Sequence, residues 1–220
     1  MKAIEKTITS LEVAEMVEKD HKNLLKDIRR YSEQLGEDKG KNDGKVQLST
    51  CNVGDVVKIA DHNFIVCEVD EDKACLLCKD LWAENETFGD SRDYKKSNIR
   101  KICEEQIQPL IEQAVGAENL IENEVDLTSL IGINEFVSLK CKVRPITFDE
   151  FQKYGDLVVN EDLPDWWWTC TPWGTEKRGY NRSIAVVSPS GNFYRNRCND
   201  YCGVRPFCIL KSNIFVSKEE

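Results

Sequence analysis

Residues 165–210 read DWWWTCTPWGTEKRGYNRSIAVVSPSGNFYRNRCNDYCGVRPFCIL, and this stretch decides the fold. Four of the chain's five tryptophans fall between Trp166 and Trp173, bulk that marks a dense core or an aromatic-lined surface. Arg182 to Val187 reads as a strand, Ser188-Pro189-Ser190-Gly191 as a turn, and Asn192 to Arg195 as the returning strand. Gly203 to Leu210 reads as one last apolar strand. Consecutive positions cannot all face one side of a strand, so at least one of Trp166, Trp167 and Trp168 is expected to pack inward. Between the hairpin and the last strand, Tyr194-Arg195-Asn196-Arg197-Cys198-Asn199-Asp200-Tyr201 has little apolar periodicity. It carries many groups that stack or hydrogen-bond, as does a loop that displays a binding surface.

Upstream, three strands are expected over Val56 to Ile59, Phe64 to Val69 and Ala74 to Lys79, with Asp70-Glu71-Asp72-Lys73 turning the chain. Ser97 can cap a helix through Ile99, Ile102, Cys103 and Ile107, which Pro109 should interrupt or restart before it runs on to Gly116. Ile121 to Val125 reads as a short strand. Thr147-Phe148-Asp149-Glu150 fits a capping box that opens a helix ending at Tyr154.

The W-W-W-T-x-T-P run, the S-x-S-G turn and the closing G-V-R-P-F resemble a domain common in bacteria and prophages. That domain is similar to the C-type-lectin fold, as are the formylglycine-generating enzymes. The resemblance spans roughly Val53 to Ser217 and speaks to fold more than to function, because one fold hosts many functions. It implies an α+β, C-type-lectin-like domain over residues 46–220, with mixed or antiparallel short strands and two helices. In that fold the loops of the C-terminal strands gather on one side. Trp173, Tyr180, Asn181, Arg182, Tyr194, Arg195, Asn196, Arg197, Asn199, Asp200 and Tyr201 are therefore expected to form one exposed face for a protein or small-molecule ligand. The run Asn192 to Tyr201 also resembles the variable segments of diversity-generating retroelement targets, since it uses only residue types favoured by adenine-directed mutagenesis. An ordinary polar loop has the same composition.

Thr9 to Leu35 reads as two helices, with a capping box at Thr9 and Glu12 and a break at Lys19-Asp20-His21. Leu24, Leu25, Ile28, Tyr31 and Leu35 give the second helix an apolar stripe. Lys22, Asn23, Lys26, Arg29 and Arg30 lie opposite it, a pattern that suggests a helix-turn-helix facing duplex DNA. The wording ITSLEVAEMVEKDHKNLLKDIRRY resembles the start of Rha-type phage regulatory proteins, in which the corresponding segment is thought to bind DNA. A solvated helical pair used for assembly has the same pattern. The expected organisation is a helix-turn-helix-like segment over 1–36, a Gly-rich linker over 37–45 and the lectin-like domain over 46–220.

The net charge of −9 is unevenly spread. Residues 1–45 carry ten basic and ten acidic side chains, residues 46–165 twelve and twenty-five, and residues 166–220 eight and four. The acidic middle repels a phosphate backbone, so a nucleic-acid role must be local. No run of about 18 apolar residues suggests a membrane span. Without the apolar centre of a signal peptide at MKAIEKTITS, a cytoplasmic setting is expected, with the ten cysteines as reduced thiols.

Cys75-Leu76-Leu77-Cys78 has CxxC spacing, but no second cysteine or histidine pair follows it at zinc-finger spacing. Positions three apart on a strand face opposite sides, so both are expected in or near the core. Cys198 and Cys202 beside Asp200 are a weak metal hint and do not align to the copper-binding pair of the formylglycine-generating enzymes. The Glu-Pro-Asn and Gln-Pro-Asp motifs of calcium-dependent lectins are absent. No cofactor and no catalytic residue is expected. The reading is a non-enzymatic binding protein, phage-associated, compatible with a homo-oligomer. The alternatives are an enzyme on the formylglycine-generating scaffold or a structural phage assembly protein.

Overall fold

In the computed structural model, which describes residues 44–219, the apolar runs form the central strands of two main sheets. The chain divides into two units, Met1–Asp43 and Gly44–Glu220, and the described residues belong to the second.

The first sheet has seven strands in the order β1 (Lys45–Gln47), β14 (Phe215–Lys218), β2 (Val56–Ile59), β3 (His62–Val69), β4 (Lys73–Cys78), β13 (Phe207–Lys211) and β8 (Val143–Arg144). Its neighbours are all antiparallel. Lys45, the last residue of the expected linker, begins β1 and lies opposite Ser217, so the two ends of the described unit meet in one ladder. The second sheet has the order β11 (Phe193–Arg197), β10 (Ser183–Val187), β9 (Trp167–Pro172), β12 (Tyr201–Val204) and β5 (Ala83–Thr87). Only its β12–β9 pair, joined at Gly203 and Trp167, is parallel. A small third sheet pairs β6 (Asn123–Val125) with β7 (Leu139–Cys141). This is a mixed, mostly antiparallel α+β architecture with two helices.

The first helix, α1, is a run of three abutting segments, Asn98–Lys101, Ile102–Ile107 and Gln108–Val115. Ser97 caps it by accepting the Arg100 N–H at 3.0 Å. The middle segment is a wide turn in which the Gln108 N–H reaches back five residues to the Cys103 carbonyl. It lies just before Pro109, which has no N–H to give, so the helix widens and continues rather than breaking. The second helix, α2 (Phe148–Tyr154), opens on the expected capping box. Glu150 N donates to Thr147 Oγ1 at 3.1 Å, and Thr147 N donates to Glu150 Oε2 at 2.8 Å.

Two apolar clusters hold the unit together. One contains Phe64, Val66, Leu76 and Cys78, with Ile99, Ile107, Trp168, Ile184 and Val186. The other contains Ile65, Cys67, Cys75 and Leu77, with Ile146, Tyr154, Trp167, Val187 and Phe207. Successive residues of β3, β4, β9 and β10 thus serve opposite clusters, and strands buried on both faces read as continuous apolar runs. Trp167 and Trp168 are both fully buried on opposite sides of β9, while Trp166 is partly buried. Cys75 and Cys78 likewise serve opposite clusters.

The expected single strand Gly203 to Leu210 is corrected by the structure. β12 belongs to one sheet and β13 to the other, and Arg205-Pro206 carries the chain between them. Arg205 is fully buried at this crossing, donates from Nε to the Cys78 carbonyl at 2.6 Å and from Nη1 to the Val158 carbonyl, and lies 5.1 Å from the Trp167 ring centroid. The G-V-R-P-F ending is therefore a clamp between the sheets. Sequence periodicity also misses β14, β5 and β8, which are short or mixed in polarity.

Candidate ligand-binding face

Strand β11 is an edge strand that pairs only with β10, and most of its side chains are exposed. The turn before it is closed by Gly191 N donating to the Ser188 carbonyl at 3.0 Å, with Gly191 at a φ of 77° that suits glycine. The turn after it is closed by Asp200, whose Oδ2 accepts the Arg197 N–H at 3.0 Å. β11 and its flanking loops are thereby held on a rigid sheet, as a recognition surface requires.

Five of the expected binding residues, Asn181, Arg182, Arg195, Arg197 and Asn199, surround one cavity of about 320 Å³ with Gly179 and Ser183. A second concavity of about 210 Å³ is lined by Tyr194, Arg195, Asn196, Arg197 and Asp200, again with Ser183. Ser183, opposite Arg197 in the β10–β11 register and 6% exposed, is the shared floor. Sequence reading passed it over because it looks like an ordinary first residue of a strand.

Arg195 lies 5.3 Å from the Tyr180 ring centroid, and the Tyr180 ring is seated against Gly174. Trp173 packs beside Phe193 and Tyr194, at ring-centroid distances of 5.8 and 6.1 Å. Strand alternation divides the rest. Arg195 reaches Tyr180, whereas the intervening Asn196 donates from Nδ2 to the buried Cys202 Sγ at 3.1 Å. Tyr201, at the start of β12, is 64% exposed and lines neither concavity. Ten of the eleven residues thus border β11 and its neighbouring loops, and Tyr201 stands apart on the strand paired with β5.

The electrostatics of this edge are positive. Arg182, Arg195 and Arg197 make no ion pair among the described residues. Cys198 and Cys202 are both buried, and burial pushes their thiols up to about 11 and about 12. They are protonated at neutral pH, in the state of structural rather than reactive thiols. No group of three metal-ligating side chains occurs among the described residues.

A larger cavity of about 390 Å³ lies elsewhere, between Asp126, Thr128 and Ser129 of one loop and Thr147, Phe148, Asp149 and Gln152 at the start of α2. The start of α2 is legible in the sequence, but the loop that faces it across the cavity has no periodicity to show the pairing.

Residues 8–81 match the family model of phage regulatory protein Rha. The match covers the N-terminal stretch whose wording resembles this family and continues through β1, β2, β3 and β4. It associates the chain with phage regulatory proteins. No curated protein and no solved structure matches the chain. Lys22, Asn23, Lys26, Arg29 and Arg30 fall within the matched segment and outside the described residues. Among the described residues no helix is long and apolar enough to cross a membrane.

Proposed function

We propose that this protein is a non-enzymatic, phage-associated regulator of the cytoplasm that binds duplex DNA through its N-terminal segment and a second ligand at the β11 edge. The observation that carries the reading is the match of residues 8–81 to the Rha regulatory family. Lys22, Asn23, Lys26, Arg29 and Arg30 are the DNA-facing side of the second N-terminal helix in this account, opposite the stripe of Leu24, Leu25 and Ile28. The two concavities beside β11 hold the ligand, and the variable-type composition of Phe193 to Tyr201 suits that role. The tryptophan run, the mostly antiparallel strands and the two helices support a C-type-lectin-like identity for the C-terminal unit. The raised thiols of Cys198 and Cys202 support a binding role over thiol chemistry.

Titration of the intact chain against a fluorescent mixed-sequence duplex at several salt concentrations tests the reading. Phosphate contacts release counterions, so affinity should fall linearly on a logarithmic scale, with about 0.9 of slope for each phosphate neutralised. Affinity independent of salt, or none at low salt, would contradict it.

A further inference from the structure

Three arginines, Arg182, Arg195 and Arg197, are among the residues that line a single cavity of about 320 Å³. None has a carboxylate partner among the described residues. Asp200 lines the neighbouring concavity together with Arg195 and Arg197, and its Oδ2 accepts the Arg197 backbone N–H rather than a guanidinium N–H. Arg195 is also held in place, because its guanidinium stacks over Tyr180 and Tyr180 leans on Gly174. The remaining wall offers hydrogen-bonding groups from Asn181, Asn199 and Ser183. Like charges gathered in one concavity without partners repel one another, and an anion in that space relieves the repulsion.

We propose that this cavity is a binding site for a small phosphate ester, and that this chemistry defines the second ligand of the function proposed above, on which the inference rests. Guanidinium forks suit both carboxylate and phosphate. Charge separates the two. A phosphate monoester carries about −1.5 to −2 at pH 7 and three acceptor oxygens, whereas a carboxylate carries one charge and two oxygens. Three guanidinium groups around one cavity fit the first. Size and field separate a small ester from a nucleic-acid chain. Residues 46–165 carry twelve basic against twenty-five acidic side chains, so favourable charge for a long polyanion is confined to the C-terminal residues 166–220. A short ester stays within about one Debye length, ~8–10 Å, of the arginines.

Calorimetric titration of the full chain with deoxyadenosine monophosphate, and separately with acetate, tests the site. The Lys26→Glu/Arg29→Glu background reverses the charge of two N-terminal basic residues that would otherwise compete for the anion. The nucleotide should bind with a stoichiometry of one and more tightly than acetate. Arg195→Gln/Arg197→Gln should weaken it at least tenfold with an unchanged melting temperature. Affinity should fall as pH is lowered from 7 to 5, through the second phosphate ionisation near pH 6. Absence of nucleotide binding overturns the proposal. So does binding that survives the double arginine substitution, or acetate binding as tightly as nucleotide. Duplex DNA retardation by the unsubstituted chain keeps the two readings separate. DNA binding without nucleotide binding removes this inference alone, whereas nucleotide binding without DNA binding removes the DNA-regulator reading and leaves a phosphate-ester site.

Discussion

The guanidinium of Arg195 lies 5.3 Å from the centroid of the Tyr180 ring, and that ring occupies the space a β-carbon on Gly174 would take. A Cβ built on Gly174 would stand 2.7 Å from Tyr180 Cδ2, closer than such atoms approach. Three residues far apart in the edge region are therefore coupled through one contact. Gly174→Ala should push Tyr180 aside and release Arg195, at a stability cost of about 1–3 kcal/mol, the range for overpacking. Ligand affinity at the β11 edge should fall by more than that loss of stability explains. Thermal melts beside ligand titrations of the variant check this, and an unchanged affinity would mean that the stack does not orient Arg195.

Arg144 and Glu150 form a two-pronged ion pair at 2.6 and 2.5 Å, with Arg144 only 3% exposed and its guanidinium 4.9 Å from the Phe207 ring centroid. Glu150→Gln leaves a buried cation unpaired while keeping an acceptor for the cap at Thr147. It should cost about 3–5 kcal/mol in chemical denaturation. Burial pushes the Glu150 carboxyl up, but the Arg144 hydrogen bonds and charge outweigh it and hold the group below its ordinary value. A depressed carboxylate stabilises the fold above its unfolded pKa, near 4.3, and that contribution is lost as pH falls through the lower folded value. The stability gap between the natural protein and Glu150→Gln should thus be constant from pH 5 to 7 and close below about pH 4.

All ten cysteines are free and buried. Burial raises their thiols, to about 12 for Cys67, Cys78, Cys170 and Cys202. Native protein should react slowly with a thiol reagent at pH 8, and unfolded protein should release ten equivalents without reductant. Fewer than ten in an anaerobic preparation would show that pairs form.

The strand alternation of β11 and the burial of its neighbours predict a separation of effects. Tyr194→Ala/Arg195→Ala/Tyr201→Ala removes side chains that are exposed, so the melting temperature should move little while ligand binding is lost. Phe207→Ala opens a fully buried site and should destabilise by about 3–5 kcal/mol. Circular-dichroism melts of both variants distinguish the two classes.

How far the sequence shows this architecture depends on the residue. Thr147 and Glu150, Ser97, and the hairpin about Ser188 to Gly191 are legible because capping and turn chemistry act within a few residues. The opposite burial of Cys75 and Cys78 follows from strand alternation alone. Gly203 to Leu210 is not legible as two strands, because apolar residues continue through the crossing and only the buried Arg205 and the following Pro206 mark it. The edge position of β11 is hidden for a related reason. The hairpin names β10 as its neighbour, but nothing within Phe193 to Arg197 states that the other edge stays unpaired or which loop residues line a cavity with it. Arg195 and Arg197 therefore meet Arg182 across the loop, while Asn196 turns to Cys202 and Tyr201 stands apart.

The measurement that tests the central claim most directly is electrophoretic retardation of a mixed-sequence duplex by the intact chain at low salt, beside Lys26→Glu/Arg29→Glu at equal concentration. The account predicts retardation by the natural protein and none by the double variant, with both equally folded. Equal retardation by the two, or no retardation by the natural protein, would contradict it.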